Sequence, residues 1–223
     1  MTKTGILLVG FLFTSASVLA LGCGDGDDGD TTSAASSSSS GDVTSSSSSS
    51  SSSGAGGSGG GTAMTPVEQY CAAIMANCTG AEKQYPSLES CLSAAAAFPA
   101  GMPADTMGDS LACRAYHSTA AGQDAATHCV HAGPAGGGDM FCGVTCAGFC
   151  DIAVAECNGQ WADKNACMTA CALIPSNMMK YNTSYTSGNT IECRLYHLSV
   201  AAQSATDATT HCPHTAAVSS QCM

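Results

Sequence analysis

The sequence predicts a mainly α protein: two tandem disulfide-stapled helical repeats of about three helices each, carried after a disordered Ser/Gly-rich tether. Three observations point to it. Six cysteines, Cys71, Cys78, Cys91, Cys113, Cys129 and Cys142, fall in register with Cys150, Cys157, Cys167, Cys193, Cys212 and Cys222. Within that frame CRAYH (113–117) returns as CRLYH (193–197), and His128, Cys129 and His131 return as His211, Cys212 and His214, so both arginines and all six histidines take matching places. Ahead of the repeats, Gly24 to about Ala63 carries almost no apolar side chains.

The helical reading rests on local signals. Thr65-Pro66-Val67-Glu68 has the hydroxyl, the helix-starting proline and the acidic residue that make a capping box, opening a helix through about Cys78. An Ala-rich segment from about Leu88 to Phe98 stops before Pro99 and Gly101, and its partner from about Ala162 to Ile174 stops at Pro175. A third helix opens at about Asp109, or Asn189 in the second repeat, and carries CRxYH. The segment with HCxH reads as a short helix or a turn, with Asp124 and Asp207 as caps or arginine partners. No period-two alternation is sustained, so strands do not dominate.

The chain divides into residues 1–22, 23–63, 64–145 and 146–223. The first segment has Lys3 and an apolar run from Ile6 to Leu21, the pattern of a secretory signal and too short for a membrane span. Its end, Ala20-Leu21-Gly22-Cys23, resembles a bacterial lipobox, which implies lipidation of Cys23 and a membrane anchor. The second segment is an Asp patch, Ser runs and GAGGSGGG, a composition that cannot bury enough surface to offset its ordering entropy. About forty such residues reach roughly 35 Å as a coil. A Ser/Gly spacer after a lipid cysteine is similar to that of lipoproteins of predatory or social Gram-negative bacteria, and the repeats are similar to those of uncharacterised secreted bacterial proteins. The resemblance implies an exported protein anchored in the cell envelope, periplasmic or at the surface.

Composition narrows the partners. Six basic against seventeen acidic residues give a net charge of −11, which argues against nucleic acid. Fifteen cysteines in an exported chain point to disulfides. With Cys23 assigned to lipid, Cys146 and Cys171 are the two outside the repeated frame and read as an added pair. Cys71 and Cys78 lie about 10.5 Å apart along one helix, beyond the roughly 7 Å that a bridge spans, so they do not pair. The expected pairing is Cys71 with Cys113, Cys78 with Cys91, and Cys129 with Cys142. The four-residue spacing of Cys142, Cys146 and Cys150 follows from the junction of the repeats rather than from an iron–sulfur set.

Two functional readings follow. The first is a non-enzymatic, lipid-anchored module without cofactor, whose rigid frame presents loops 100–107 and 177–188 to a protein or matrix partner. Arg114, Tyr116, Arg194 and Tyr196 are then structural. The second is a metal-binding protein, with His117, His128 and His131, and again His197, His211 and His214, closing around Zn or Cu, with redox chemistry as an extension. HExxH and CxxCH are absent, so neither a zincin nor covalent haem is indicated.

Overall fold

The computed structural model describes residues 63–138, 141–177 and 180–223. The signal peptide, Cys23 and nearly all of the tether lie outside the described residues. Among the described residues eight α-helices follow in order: α1 (Pro66–Asn77), α2 (Leu88–Ala96), α3 (Leu111–Ala120), α4 (Ala125–Ala132), α5 (Thr145–Glu156), α6 (Lys164–Cys171), α7 (Ile191–Ala201) and α8 (Ala205–Thr215). Among the described residues there is no strand, and no helix is long and apolar enough to cross a membrane.

The helix starts are written in hydroxyls and carboxylates. Thr65 and Glu68 complete the capping box of α1, with Glu68 Oε2 accepting from the Thr65 backbone N–H at 2.7 Å. Ser87, Ser110, Asp124, Asp163, Thr190 and Ser204 each accept a backbone N–H in the first turn of α2, α3, α4, α6, α7 and α8. Each such cap stabilises its helix by about 1 kcal/mol. Asp124 caps α4, whereas Asp207 sits inside the first turn of α8 and accepts from the hydroxyl of Ser204 at 2.6 Å. The last helix of the second repeat therefore begins about a turn earlier than that of the first.

Each repeat has four helices rather than three, because the HCxH segment is helical in both. That difference changes the disulfide map. The bridges are Cys71–Cys91, Cys78–Cys129 and Cys113–Cys142 in the first repeat, and Cys150–Cys167, Cys157–Cys212 and Cys193–Cys222 in the second. The pairs Cys71–Cys113, Cys78–Cys91 and Cys129–Cys142 assumed a tail that closes on itself. Instead α4 packs back against the end of α1, so Cys129 meets Cys78, which leaves Cys91 to Cys71 and Cys142 to Cys113. Cys146, in the first turn of α5, bridges Cys171 at the end of α6.

All the bridged cysteines except Cys146 and Cys212 are buried, and Cys71, Cys78, Cys91, Cys129, Cys150, Cys157, Cys167 and Cys171 share one core with Tyr70, Ile74, Tyr85, Phe149, Ile152, Ile191, Leu195 and Leu198. Many of the remaining core positions are alanine, which buries little area per residue. Bridges contributing roughly 2–4 kcal/mol each make up the difference. The repeats are also joined by polar contacts: the Ser90 hydroxyl donates to the Ser199 carbonyl, Gln84 Nε2 to the Tyr181 carbonyl at 3.0 Å, and the Thr183 N–H to the Lys83 carbonyl at 2.9 Å.

Proteolysis of the non-reduced protein followed by mass spectrometry is expected to recover Cys78 linked to Cys129 and Cys157 linked to Cys212. Recovery of Cys129 linked to Cys142 would show that α4 does not pack on α1.

Candidate metal centres

Two helices and one loop build each centre. In the first repeat, His117 lies on α3, four residues after Cys113, and His128 and His131 lie one turn apart on α4, flanking Cys129. The Cys78–Cys129 bridge fixes the rotation of α4, and the spacing of three puts both of its histidines on the face turned to α3. His117 Nδ1 lies 2.9 Å from His128 Nδ1, and a ring nitrogen of each of the three histidines lies within 4.8 Å of the others. The second repeat repeats this closely. His197 Nδ1 lies 2.9 Å from His211 Nδ1 and 3.4 Å from His214 Nδ1.

The orientation of the central histidine follows from its other nitrogen. His117 Nε2 lies 3.2 Å from the Thr106 carbonyl, and His197 Nε2 lies 3.3 Å from the Thr186 carbonyl. A carbonyl only accepts, so Nε2 carries the proton and Nδ1 presents its lone pair to the cluster. Metal-ligating histidines are held in the same way, by an outer hydrogen bond that selects the tautomer. Four-coordinate zinc with Zn–N bonds of about 2.0–2.1 Å holds its nitrogens about 3.3–3.4 Å apart. The Nδ1 separations of the second cluster bracket that value from 2.9 to 3.4 Å.

Burial favours the uncharged imidazole that a metal requires. The His197 pKa is pushed down to about 4, first by burial and then by the neighbouring His214 and His211 rings. That of His211 is also lowered, by burial and then by His214. The Cys113–Cys142 and Cys193–Cys222 sulfurs lie beside His117 and His197 but are committed to disulfides.

The arginines hold the frame around these clusters. Arg114 is fully buried against the Phe98 ring; its guanidinium donates to Asp109 Oδ1 at 2.9 Å, to the Ser110 carbonyl at 3.2 Å and to the Gly133 carbonyl beyond α4 at 3.4 Å. Arg194 donates to Asn189 Oδ1, to the Thr190 carbonyl and to the carbonyls of Ala216 and Ala217 just past α8. Each arginine thus ties the start of the CRxYH helix to the end of the HCxH helix. α5 packs so closely here that a Cβ on Gly148 would stand 2.2 Å from the Pro134 carbonyl oxygen and 2.9 Å from Arg114 Nη2. Tyr116 and Tyr196 set their rings edge-on against His117 and His197.

Loops 100–107 and 177–188 carry more of the centre than their sequences suggest. Where they lead into α3 and α7 the chain matches as Thr-x-Gly-Asp/Asn-Ser/Thr at 106–110 and 186–190, supplying the histidine-orienting carbonyl, a glycine at φ +92° and the arginine partner. This short identity, together with Phe141 stacked on His131 at 4.4 Å, is the part of the site that sequence reading missed.

Two outcomes follow. Arg114→Ala and Arg194→Ala should each cost at least about 1–3 kcal/mol in chemical denaturation, the penalty for leaving buried carbonyls without their donor. Asp109→Asn should cost far less, since the second repeat uses Asn189 in that place. For the metal-free protein, His197 titrates near 6.5 when unfolded and about 4 when folded. Only the unfolded chain takes up that proton between these values, so the stability that depends on His197, read as the difference from His197→Gln, should be flat above about pH 6.5 and fall as the pH drops toward 4. Thermal melts across that range check it.

The model of the BfoA family C-terminal domain matches residues 60–147. That segment contains the whole first cluster, His117, His128 and His131, and all three bridges of the first repeat. No curated protein and no solved structure matches the chain. The first repeat is thus similar to a bacterial domain family, and the second repeats its frame.

Proposed function

We propose that this chain is a non-enzymatic metal-binding protein of the bacterial cell envelope, holding one Zn or Cu ion in each repeat through one ring nitrogen of each of three histidines. The observation that carries the reading is the duplication of the cluster. Three imidazoles converge, with the central ring held by a backbone carbonyl, in two segments whose surrounding side chains differ. Packing alone accounts for one buried histidine pair. It does not account for the same three histidines converging twice, where α3 faces α4 and α7 faces α8.

The setting supports it. The seven disulfides among the described residues suit an oxidising, extracytoplasmic environment, where free thiols are poor resident ligands and imidazole is the available borderline donor. The lipobox-like end of the signal and the Ser/Gly segment would place the repeats near a membrane on a lipid at Cys23.

A second reading keeps the repeats as a partner-presenting module. It is favoured by an exposed apolar set on the first repeat, Met102, Met107 and Tyr116, where the second repeat has Asn182, Ser187 and the half-buried Tyr196.

Metal analysis separates them. The protein, exported into an oxidising compartment, exposed to Zn or Cu and desalted, should retain two equivalents of one metal. His128→Ala/His131→Ala and His211→Ala/His214→Ala should each lose one, with helix content unchanged by circular dichroism. Metal at a hundredfold excess over Kd should also add about 2.7 kcal/mol of stability per site. A folded sample that retains none would leave the partner-presenting reading.

A further inference from the structure

The two centres share their ligands but not their cover. In the first repeat the Phe141 ring lies over the cluster, stacked on His131 at 4.4 Å between centroids and edge-on to His117 at 6.0 Å. His131 is 8% exposed and its neighbour Val130 only 3%. The residue before the last cysteine of the second repeat is Gln221, an exposed side chain with no ring to stack. His214 is half-buried there, and Pro213, in the place of Val130, is exposed. The chain beyond α4 also differs from the chain beyond α8. Pro134 and Ala135 are buried under α5, whereas Ala217 and Val218 stand in solvent.

Cover matters because a chelator or acceptor removes a bound ion by adding its own donor to the metal before the protein ligands leave. A ring over the imidazoles blocks that approach; a flexible exposed amide does not. Resting on the metal-binding reading above, we infer that the centres are functionally distinct. The His117/His128/His131 centre is closed and retains its ion, and the His197/His211/His214 centre is open and exchanges its ion with an outside donor. The partner of the open centre is by chemistry a small nitrogen, oxygen or thiolate donor able to become a fourth ligand.

The full chain loaded with Zn and challenged with excess EDTA tests this, with release followed by a zinc-sensitive dye. Two equal phases are expected, separated by at least about tenfold in rate, since differences between related complexes sit mostly in dissociation. His211→Ala/His214→Ala should remove the fast phase alone. The two cover positions are exposed, so their variants should fold: Phe141→Gln should speed the slow phase and Gln221→Phe should slow the fast one. A single common rate for both equivalents, or loss of the slow phase in the His211/His214 variant, would overturn the inference while leaving two bound ions and the metal reading intact. Failure to load any Zn in the folded protein would instead overturn the metal reading and the inference together.

Discussion

The structure depends on one cross-link made twice, Cys78 to Cys129 and Cys157 to Cys212, which spans 51 and 55 residues and carries the end of a repeat's first helix to the middle of its last. Without it α4 and α8 would be short helices of eight and eleven residues with little apolar face, too short to persist in water by propensity alone. With it their azimuth is fixed, and the residues flanking each cysteine must face the CRxYH helix. The histidines sit at those flanking positions. A folding constraint and a ligand geometry are therefore the same feature, and the histidine positions follow from the position of the bridge.

The buried arginine closes the frame from the other side. Its planar fork satisfies carbonyls at the helix end and the side chain of Asp109 or Asn189 at once, which lysine's single ammonium on a flexible stem cannot reproduce. The first repeat pairs this cation with a carboxylate, the second with a neutral amide and one more carbonyl. That the frame persists through this exchange shows that geometry, rather than net charge, is what the arginine supplies. Alanine-rich helices can approach closely around such a framework, and the large side chains that remain, Tyr70, Tyr85, Phe149 and Leu195, are fully buried in the core.

Much of this was legible in the residues and some of it was not. The capping box at Thr65 and Glu68, the register of the cysteines and the duplication of CRxYH are local or periodic signals, and the helical class follows from them. The pairing of Cys78 with Cys129 is a long-range choice that spacing leaves open, and it turned on whether HCxH was a helix or a turn. The histidines could be named as candidates but not shown to converge, because convergence depends on that same pairing. Thr106 and Thr186 act through their backbone carbonyls, which no side-chain pattern announces. Phe141 is an ordinary aromatic until its ring is found over His131.

The most direct test of the account is X-ray absorption at the edge of the bound metal in the loaded, disulfide-intact protein. The account predicts a first shell of nitrogen or oxygen at about 2.0–2.1 Å, with the outer-shell scattering of about three imidazoles and no sulfur at about 2.3 Å. A sulfur shell would mean that the ion is held by thiolates released from the bridges, and a shell of oxygen without imidazole scattering would mean that the ion sits elsewhere on the acidic surface. Either result would contradict the three-histidine centres.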